Sequence, residues 1–308
     1  MIWRFFCNNY LHFLYLRRNI LHMKNIVTAT IALLLALSPG LLRAQSLHPE
    51  APAVPDKIVF AGETIRLDRQ DFRERLDREL IAFTNMHTNS TLMLKRSRRM
   101  FALIVPVLKE QGLPEDLKYL MAIESNLDPK AVSTTGASGL WQFTKATAAT
   151  YKLEVNAEVD ERFNIEKETL AACAFLKDAY RKFGDWMTVA ASYNAGQGGI
   201  AARLAEQKQT SALELWLKEE TSRYMFRLMA CKLFFEDPSA FGFQVEPEEM
   251  YPPLRYRETV TVTGPIPSLV DFALEHGVTF AALKEANLWL RDSHLSNKAG
   301  KTYKILIP

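Results

Sequence analysis

Residues 112–125, Gly-Leu-Pro-Glu-Asp-Leu-Lys-Tyr-Leu-Met-Ala-Ile-Glu-Ser, read as a helix that carries one carboxylate on its apolar side. Pro114 suits a first helical position, because the N–H it lacks would have had no partner there, and Glu115 and Asp116 then occupy the first turn, where the helix dipole favours anions. Counting back from Glu124, Met121, Leu120 and Leu117 stand at i−3, i−4 and i−7, and Leu127 follows at i+3, so the acid shares the face of the leucines. A carboxyl held among apolar neighbours loses hydration in its charged form; its pKa rises toward neutrality and it can donate a proton near pH 7. An acid at the edge of the stripe, snorkelling or paired with a base, gives the same pattern, so this helix by itself does not decide.

Outward from this helix, the chain of 308 residues is 48% hydrophobic and 24% charged, which suits a globular protein of more than one module and excludes disorder as its theme. Met23-Lys24, the apolar run Ile26 to Leu37 and Leu42-Arg43-Ala44 match a secretory signal, with Met23 as the expected start and residues 1–44 lost on export. The run is shorter than the ~20 residues a membrane span needs, so no stable span is expected afterwards. Those 44 residues hold Arg4, Arg17, Arg18, Lys24 and Arg43 and no acid, leaving 33 bases against 35 acids, about −2. The basic balance of the whole chain therefore gives no argument for a nucleic-acid partner. Cys173 and Cys231 remain, both in helical patterns; free buried thiols are favoured over a disulfide.

Residues 46–56 are Pro- and Ala-rich and read as unstructured, and helical periodicity begins with Phe72, Leu76, Leu80 and Phe83 and resumes from Leu92 to Leu108. Lys95, Arg96, Arg98 and Arg99 read as a solvated face. Pro129 ends the Glu124 helix, and Asp128 reads as a turn residue. The segment 131–143, with Gly136, Gly139, Trp141 and Gln142, suits a loop whose backbone passes close to a ligand, Ser133 and Gln142 offering hydrogen bonds. Helices are expected near 169–183 and 186–191, then Tyr193-Asn194 at a turn into glycines, helices near 200–206 and 212–217, and a longer one over 220–235 that half-buries Tyr224. No metal cluster, phosphate loop or nucleotide motif is present, so no cofactor and no metal are expected.

Taken together, Glu124-Ser125, Ser133 with Gly136-Ala137, Gly139-Leu-Trp-Gln142, Ser192-Tyr193-Asn194-Ala195-Gly196 and Glu220-Thr-Ser-Arg-Tyr224 resemble, in order and spacing, the lytic transglycosylase catalytic domain of the membrane-bound murein transglycosylase D type, similar in fold to goose-type lysozyme. The resemblance spans about residues 90–236. It implies a mainly α protein with a lysozyme-like helical catalytic domain and the peptidoglycan glycan strand as partner. Glu124 would be the single acid and base, Ser133, Gln142, Tyr193 and Asn194 would line the sugar cleft, and Tyr224 would bond near the Glu124 carboxyl. The expected reaction is non-hydrolytic cleavage of the β-1,4 bond between N-acetylmuramic acid and N-acetylglucosamine, giving 1,6-anhydromuramyl products; a hydrolytic muramidase and a non-catalytic peptidoglycan-binding protein are the alternatives. Thr144-Lys145 departs from the Met-Pro usual after the Gln-Phe pair.

Beyond Glu236 prolines and acids suggest a linker, and a strand–helix–helix–strand pattern follows: Glu258 to Thr263, Ser268 to Glu275, Phe280 to Asn287 and Tyr303 to Ile307. Through Gly277-Val-Thr, Leu283, Asn287 and Ile305-Leu-Ile-Pro308 it resembles a LysM module, a small βααβ fold, although Gly264-Pro-Ile-Pro267 replaces the usual Gly-Asp-Thr opening. The expected organisation is a signal over 1–44, an N-terminal linker and helical extension over 45–90, the catalytic domain over 91–236, a linker over 237–255 and the LysM-like domain over 256–308. An exported, periplasmic protein associated with the cell wall or outer membrane is the expected setting.

Overall fold

The structure is a computed structural model and describes Lys24 and residues 50–308; apart from Lys24, the expected signal segment lies outside the described residues. Residues 49–308 form one compact unit. It is mainly helical, as the sequence suggested, with two small two-stranded sheets.

A hairpin opens it: β1 (Lys57–Phe60) pairs antiparallel with β2 (Glu63–Arg66), Lys57 opposite Arg66. The turn Ala61-Gly62 has both residues in the left-handed region, and the alternation turns Ile58, Phe60 and Ile65 into the core. Asp116 holds the hairpin by accepting from the Ala61 N–H at 2.7 Å.

Helices α1 (Gln70–Asn85) and α2 (His87–Glu110) follow, and a 3-10 turn over Glu115–Leu117 leads into α3 (Lys118–Ser125). Pro114 caps that 3-10 turn from outside rather than opening the α-helix, since its ψ of 139° is extended. The predicted apolar face of α3 is fully confirmed by burial: Leu117, Leu120, Met121 and Leu127 are at most 1% exposed. Each such side chain contributes about 1.5–3 kcal/mol on leaving water, so α3 is fixed between α2 and, further on, α8 (Glu219–Glu236).

Between them lie α4 (Lys145–Thr150), α5 (Ile165–Phe183), α6 (Trp186–Ala195) and α7 (Gln197–Gln207). Asn164 caps α5 and Asp185 caps α6, each accepting a backbone N–H three residues on. Thr144 caps α4 in the same way, which gives the departure at that position a local role. Residues 212–217, expected as a helix, make only a 3-10 turn over Ala212–Glu214, because the Ala212 N–H bonds the Thr188 hydroxyl and Leu215 is already extended.

The basic cluster on α2 is not a solvated face. Lys95 pairs with Glu249, Arg98 and Arg99 donate to the carbonyls of Pro247 and Pro252, and Arg96 reaches Asp128. Lys95, Arg98 and Arg99 fasten the segment around 247–252, while Phe241 and Phe243 enter the main core. Cys173 and Cys231 are free and buried.

The C-terminal region pairs β3 (Glu258–Val262) with β4 (Tyr303–Ile307), Glu258 opposite Ile307, around α9 (Leu269–Glu275) and α10 (Phe280–Ala286). Gly277 (φ 69°) makes the turn between the helices and Thr279 caps α10. Asn287, fully buried, donates to the Leu283 and Leu306 carbonyls and accepts from the Leu306 N–H. Val159 and Phe163, from the stretch before α5, complete this second core, and Val159 bridges to Leu290.

Candidate active site

Glu124 sits in the last turn of α3. Immediately after it the chain turns back on two consecutive left-handed residues, Asn126 (φ 51°) and Leu127 (φ 57°). Non-glycine residues there cost about 1–3 kcal/mol each, so something must hold them. Leu127 is fully buried, and Arg96 from α2 donates to the Asn126 carbonyl at 3.0 Å and to Asp128 at 2.8 Å. Asp128 also accepts from the Lys130 N–H at 2.9 Å, so it is the turn residue the sequence suggested and its carboxylate is occupied.

The Glu124 carboxyl is half-buried. Loss of hydration pushes its pKa up to about 7; the Tyr224 hydroxyl, donating to Oε1 at 2.5 Å, and the positive charge of Arg227 pull the other way, and Glu220 adds slightly to the rise. Burial outweighs the hydrogen bond, so at neutral pH the group is poised between proton donor and acceptor. Tyr224 itself is held well above the ordinary tyrosine range by burial and by the adjacent Glu124, and remains a hydroxyl donor.

This balance fixes a pH prediction. A hydroxyl that donates to the carboxylate stabilises its charged form, so Tyr224→Phe should raise the Glu124 pKa above about 7. The alkaline limb of any activity needing the protonated acid should then move to higher pH, by about one unit if the bond contributes ~1.4 kcal/mol to the charged form. A pH–rate profile of wild type and variant reads the shift; an unmoved alkaline limb would show that the bond does not set the acid.

Tyr193 and Asn194 lie in the last turn of α6, inside the helix rather than beyond it, and Gly196 (φ 85°) ends it. The Tyr193 hydroxyl donates to the Trp141 carbonyl at 2.7 Å, and its ring packs against Phe143 and Phe175. Glu124 is close enough for its charge to raise the Tyr193 pKa, second to burial. Asn194 Oδ1 accepts from Thr221 at 2.8 Å, tying α6 to the start of α8, three residues before Tyr224.

The 131–143 loop brings Ser133 and Gln142 half-exposed. Ser133 Oγ accepts from the Ala137 N–H at 3.0 Å, and Gln142, left-handed at φ 51°, turns its amide onto the Gly139 and Ala131 carbonyls at 2.7 and 3.2 Å. The loop is shaped from behind. Arg162 forks onto Asp160 at 2.9 and 2.7 Å and donates to the Gly136 and Phe143 carbonyls. A Cβ on Gly139 would lie 1.7 Å from the Arg162 carbonyl oxygen, so the glycine is needed for the close approach of protein backbone rather than of a ligand.

Asp160, Arg162 and Glu168 are absent from the sequence reading. Starting α5 at Thr169 passes over Glu168, although it precedes Ala171, Ala172 and Phe175 by three, four and seven residues and so belongs to the buried face. Asp128 is the only second acid near Glu124 along the sequence; in space Glu220 acts on its charge and Glu168 acts on Tyr193. Among the described residues no group of His, Cys, Asp and Glu could hold a metal ion, and no helix is long and apolar enough to cross a membrane.

The site is thus a partly dry acid at a helix end, bonded by a buried tyrosine, beside a second tyrosine that reaches the Trp141 carbonyl of the 131–143 loop. Comparison with known proteins shows what the chain is similar to. Residues 103–215 match the Transglycosylase SLT domain family, and residues 258–308 match the Soluble lytic transglycosylase C-terminal LysM-like domain family. It is homologous to the membrane-bound lytic murein transglycosylase D of Escherichia coli (strain K12), with 27% identity over 205 residues, 65% of this chain and 44% of the relative. The membrane-bound lytic murein transglycosylase F of Maricaulis maris (strain MCS10) is 34% identical over 127 residues, 37% of this chain and 25% of the relative. This chain thus spans less than half the length of these relatives. Among solved structures, the 70 kDa soluble lytic transglycosylase from Escherichia coli aligns at a TM-score of 0.39 and 17% identity, over 58% of this chain and 33% of that one.

Proposed function

We propose that the chain is a peptidoglycan lytic transglycosylase that cleaves the β-1,4 bond between N-acetylmuramic acid and N-acetylglucosamine, with Glu124 as the single acid and base. The observation that carries the reading is the Glu124 carboxyl, pushed up to about 7 by burial and bonded by Tyr224, within a matched SLT domain. Most glycosidases use two carboxylates roughly 5–9 Å apart, one to protonate the leaving oxygen and one to attack or to activate water. Here Asp128 is committed to Arg96, and, as in the family that the chain resembles, the substrate is given the second role.

In the first step Glu124 gives its proton to the glycosidic oxygen while the C1–O bond breaks, and the carbonyl oxygen of the muramyl N-acetyl group bonds C1. In the second, the Glu124 carboxylate takes the proton of the sugar's own 6-hydroxyl, whose oxygen displaces the acetamido oxygen at C1. A 1,6-anhydro ring forms, no water is consumed, and Glu124 is protonated again. A pKa near the working pH suits a group that must act in both directions. Tyr224 holds the carboxyl, Tyr193 and Asn194 form one wall of the sugar cleft, and Ser133 and Gln142 offer hydrogen bonds from the opposing loop.

The proposed organisation places the catalytic domain over 91–236 and the LysM-like domain over 256–308, joined by 237–255, with 1–44 removed on export to the periplasm where the substrate lies. Digestion of purified sacculi by the mature chain tests the function. Released muropeptides should carry anhydro ends, one water lighter than hydrolytic products. Reducing-end sugars would identify a muramidase instead, and no release at all a binding protein.

A further inference from the structure

Glu168 is wholly buried on α5 and has no part in the steps assigned to Glu124. Its Oε2 accepts from the Trp141 N–H at 3.1 Å, the Leu140 N–H bonds the same carboxyl, and Oε1 has no partner among the described residues. A carboxyl so placed, without a cation, is costly to bury. Burial holds its pKa well above the usual carboxylate range, against the backbone N–H groups of Trp141 and Leu140, which pull it down.

What it holds is one peptide at the centre of the site. The next residue, Thr169, accepts the Trp141 indole N–H at 3.0 Å, so α5 grips both the backbone and the side chain of Trp141. On the other side the Trp141 carbonyl accepts the Tyr193 hydroxyl at 2.7 Å, and Tyr193 feels the charge of Glu124. Gln142 follows directly, in a left-handed conformation that tolerates little drift of the residue before it. Gly139 lets the carboxyl approach, since a Cβ there would lie 2.5 Å from Glu168 Oε2.

We infer that Glu168 is a positioning residue of this active site: its Oε2 fixes the Leu140–Trp141 backbone, and the Trp141 carbonyl thereby aims the Tyr193 hydroxyl beside Glu124 and sets the register of Gln142. The inference rests on the proposed activity.

Two substitutions of similar length separate this from a role in packing. Glu168→Gln keeps an oxygen that can accept from Trp141, whereas Glu168→Met keeps the volume and removes the acceptor along with the costly buried carboxyl. With soluble uncrosslinked glycan strands as substrate, and rates taken below each melting midpoint, the Gln variant should keep kcat within about threefold. The Met variant should lose at least tenfold in kcat with KM changed much less, while its melting midpoint stays close to wild type. Combined with Tyr193→Phe, the Met substitution should cost little more than either change alone, because both act through the Trp141 peptide. A folded Met variant with wild-type kcat overturns the inference. So does a Met variant that cannot fold while Gln does, which would make the acceptor a requirement of the fold, and so does a folded Gln variant that is inactive, which would give the carboxyl a direct chemical part. Wild-type protein that yields no anhydro product fails the activity itself, whatever the Glu168 variants do.

Discussion

Glu124→Gln is expected to lower kcat on sacculi about a thousandfold while leaving the protein folded and able to bind glycan. The amide is nearly isosteric and its oxygen can still accept from Tyr224, so the geometry of α3 is kept and only the transferable proton is lost. A positioned acid or base contributes about 10²–10⁴-fold; one group serving both steps should fall in the upper half of that range. Stability should move the opposite way. The folded pKa of about 7 lies above the model-compound value of 4.5, so the folded state holds the proton more tightly than the unfolded chain. The resulting destabilisation is absent below about pH 4.5, grows as pH rises, and is complete above about 7, amounting to at most about 3 kcal/mol and less once the partial exposure of the group is discounted. Glu124→Gln should therefore raise the melting midpoint at pH 8 and change it little at pH 4. Thermal unfolding at the two pH values, alongside muropeptide release, checks both; an active Gln variant would remove Glu124 from the chemistry.

Arg162→Ala should have the largest effect on folding. The guanidinium is 4% exposed and its partner Asp160 10%. Removing one member of a buried pair costs about 3–5 kcal/mol, which for a domain of this size lowers the melting midpoint by roughly 6 to 20 °C. Here the Gly136 and Phe143 carbonyls also lose their donor, so the 131–143 loop should loosen and activity should fall even at temperatures where the variant is folded. Arg162→Lys should recover only part of the loss, because an ammonium cannot reproduce the fork onto Asp160 and the two carbonyl bonds at once. Calorimetry decides: a midpoint within about 2 °C of wild type would show that the loop is held by other means. Asp160 also donates its N–H to the Trp289 carbonyl, which joins this buried pair to the C-terminal core.

The contrast between these two residues shows how much the sequence could disclose. Glu124 was legible because its partners are local: the leucines that dry it stand three, four and seven residues away, and helical periodicity alone puts them on one face. The βααβ region was legible for the same reason, each element being short and regular. Arg162 and Glu168 were not, because their partners are carbonyls and N–H groups of a loop some 20 to 30 residues earlier, and no periodicity encodes a contact between a loop and a helix start. The cations of α2 read as solvated on pattern, yet their partners come from the chain some 150 residues later. The β1–β2 hairpin is a different case. Ile58, Phe60, Ile65 and Leu67 alternate about Ala61-Gly62, a visible hairpin signal that attention to the helical run from Phe72 passes over.

The helix that bears the acid ends only one residue beyond it. Backbone carbonyls gather at that end and give it a partial negative charge, the opposite of what a carboxylate prefers as a neighbour. Proton retention by Glu124 is thus written into the polarity of the main chain as well as into its surroundings. A redesign that lengthened α3 past Ser125 would carry that negative end away from the acid and weaken its hold on the proton.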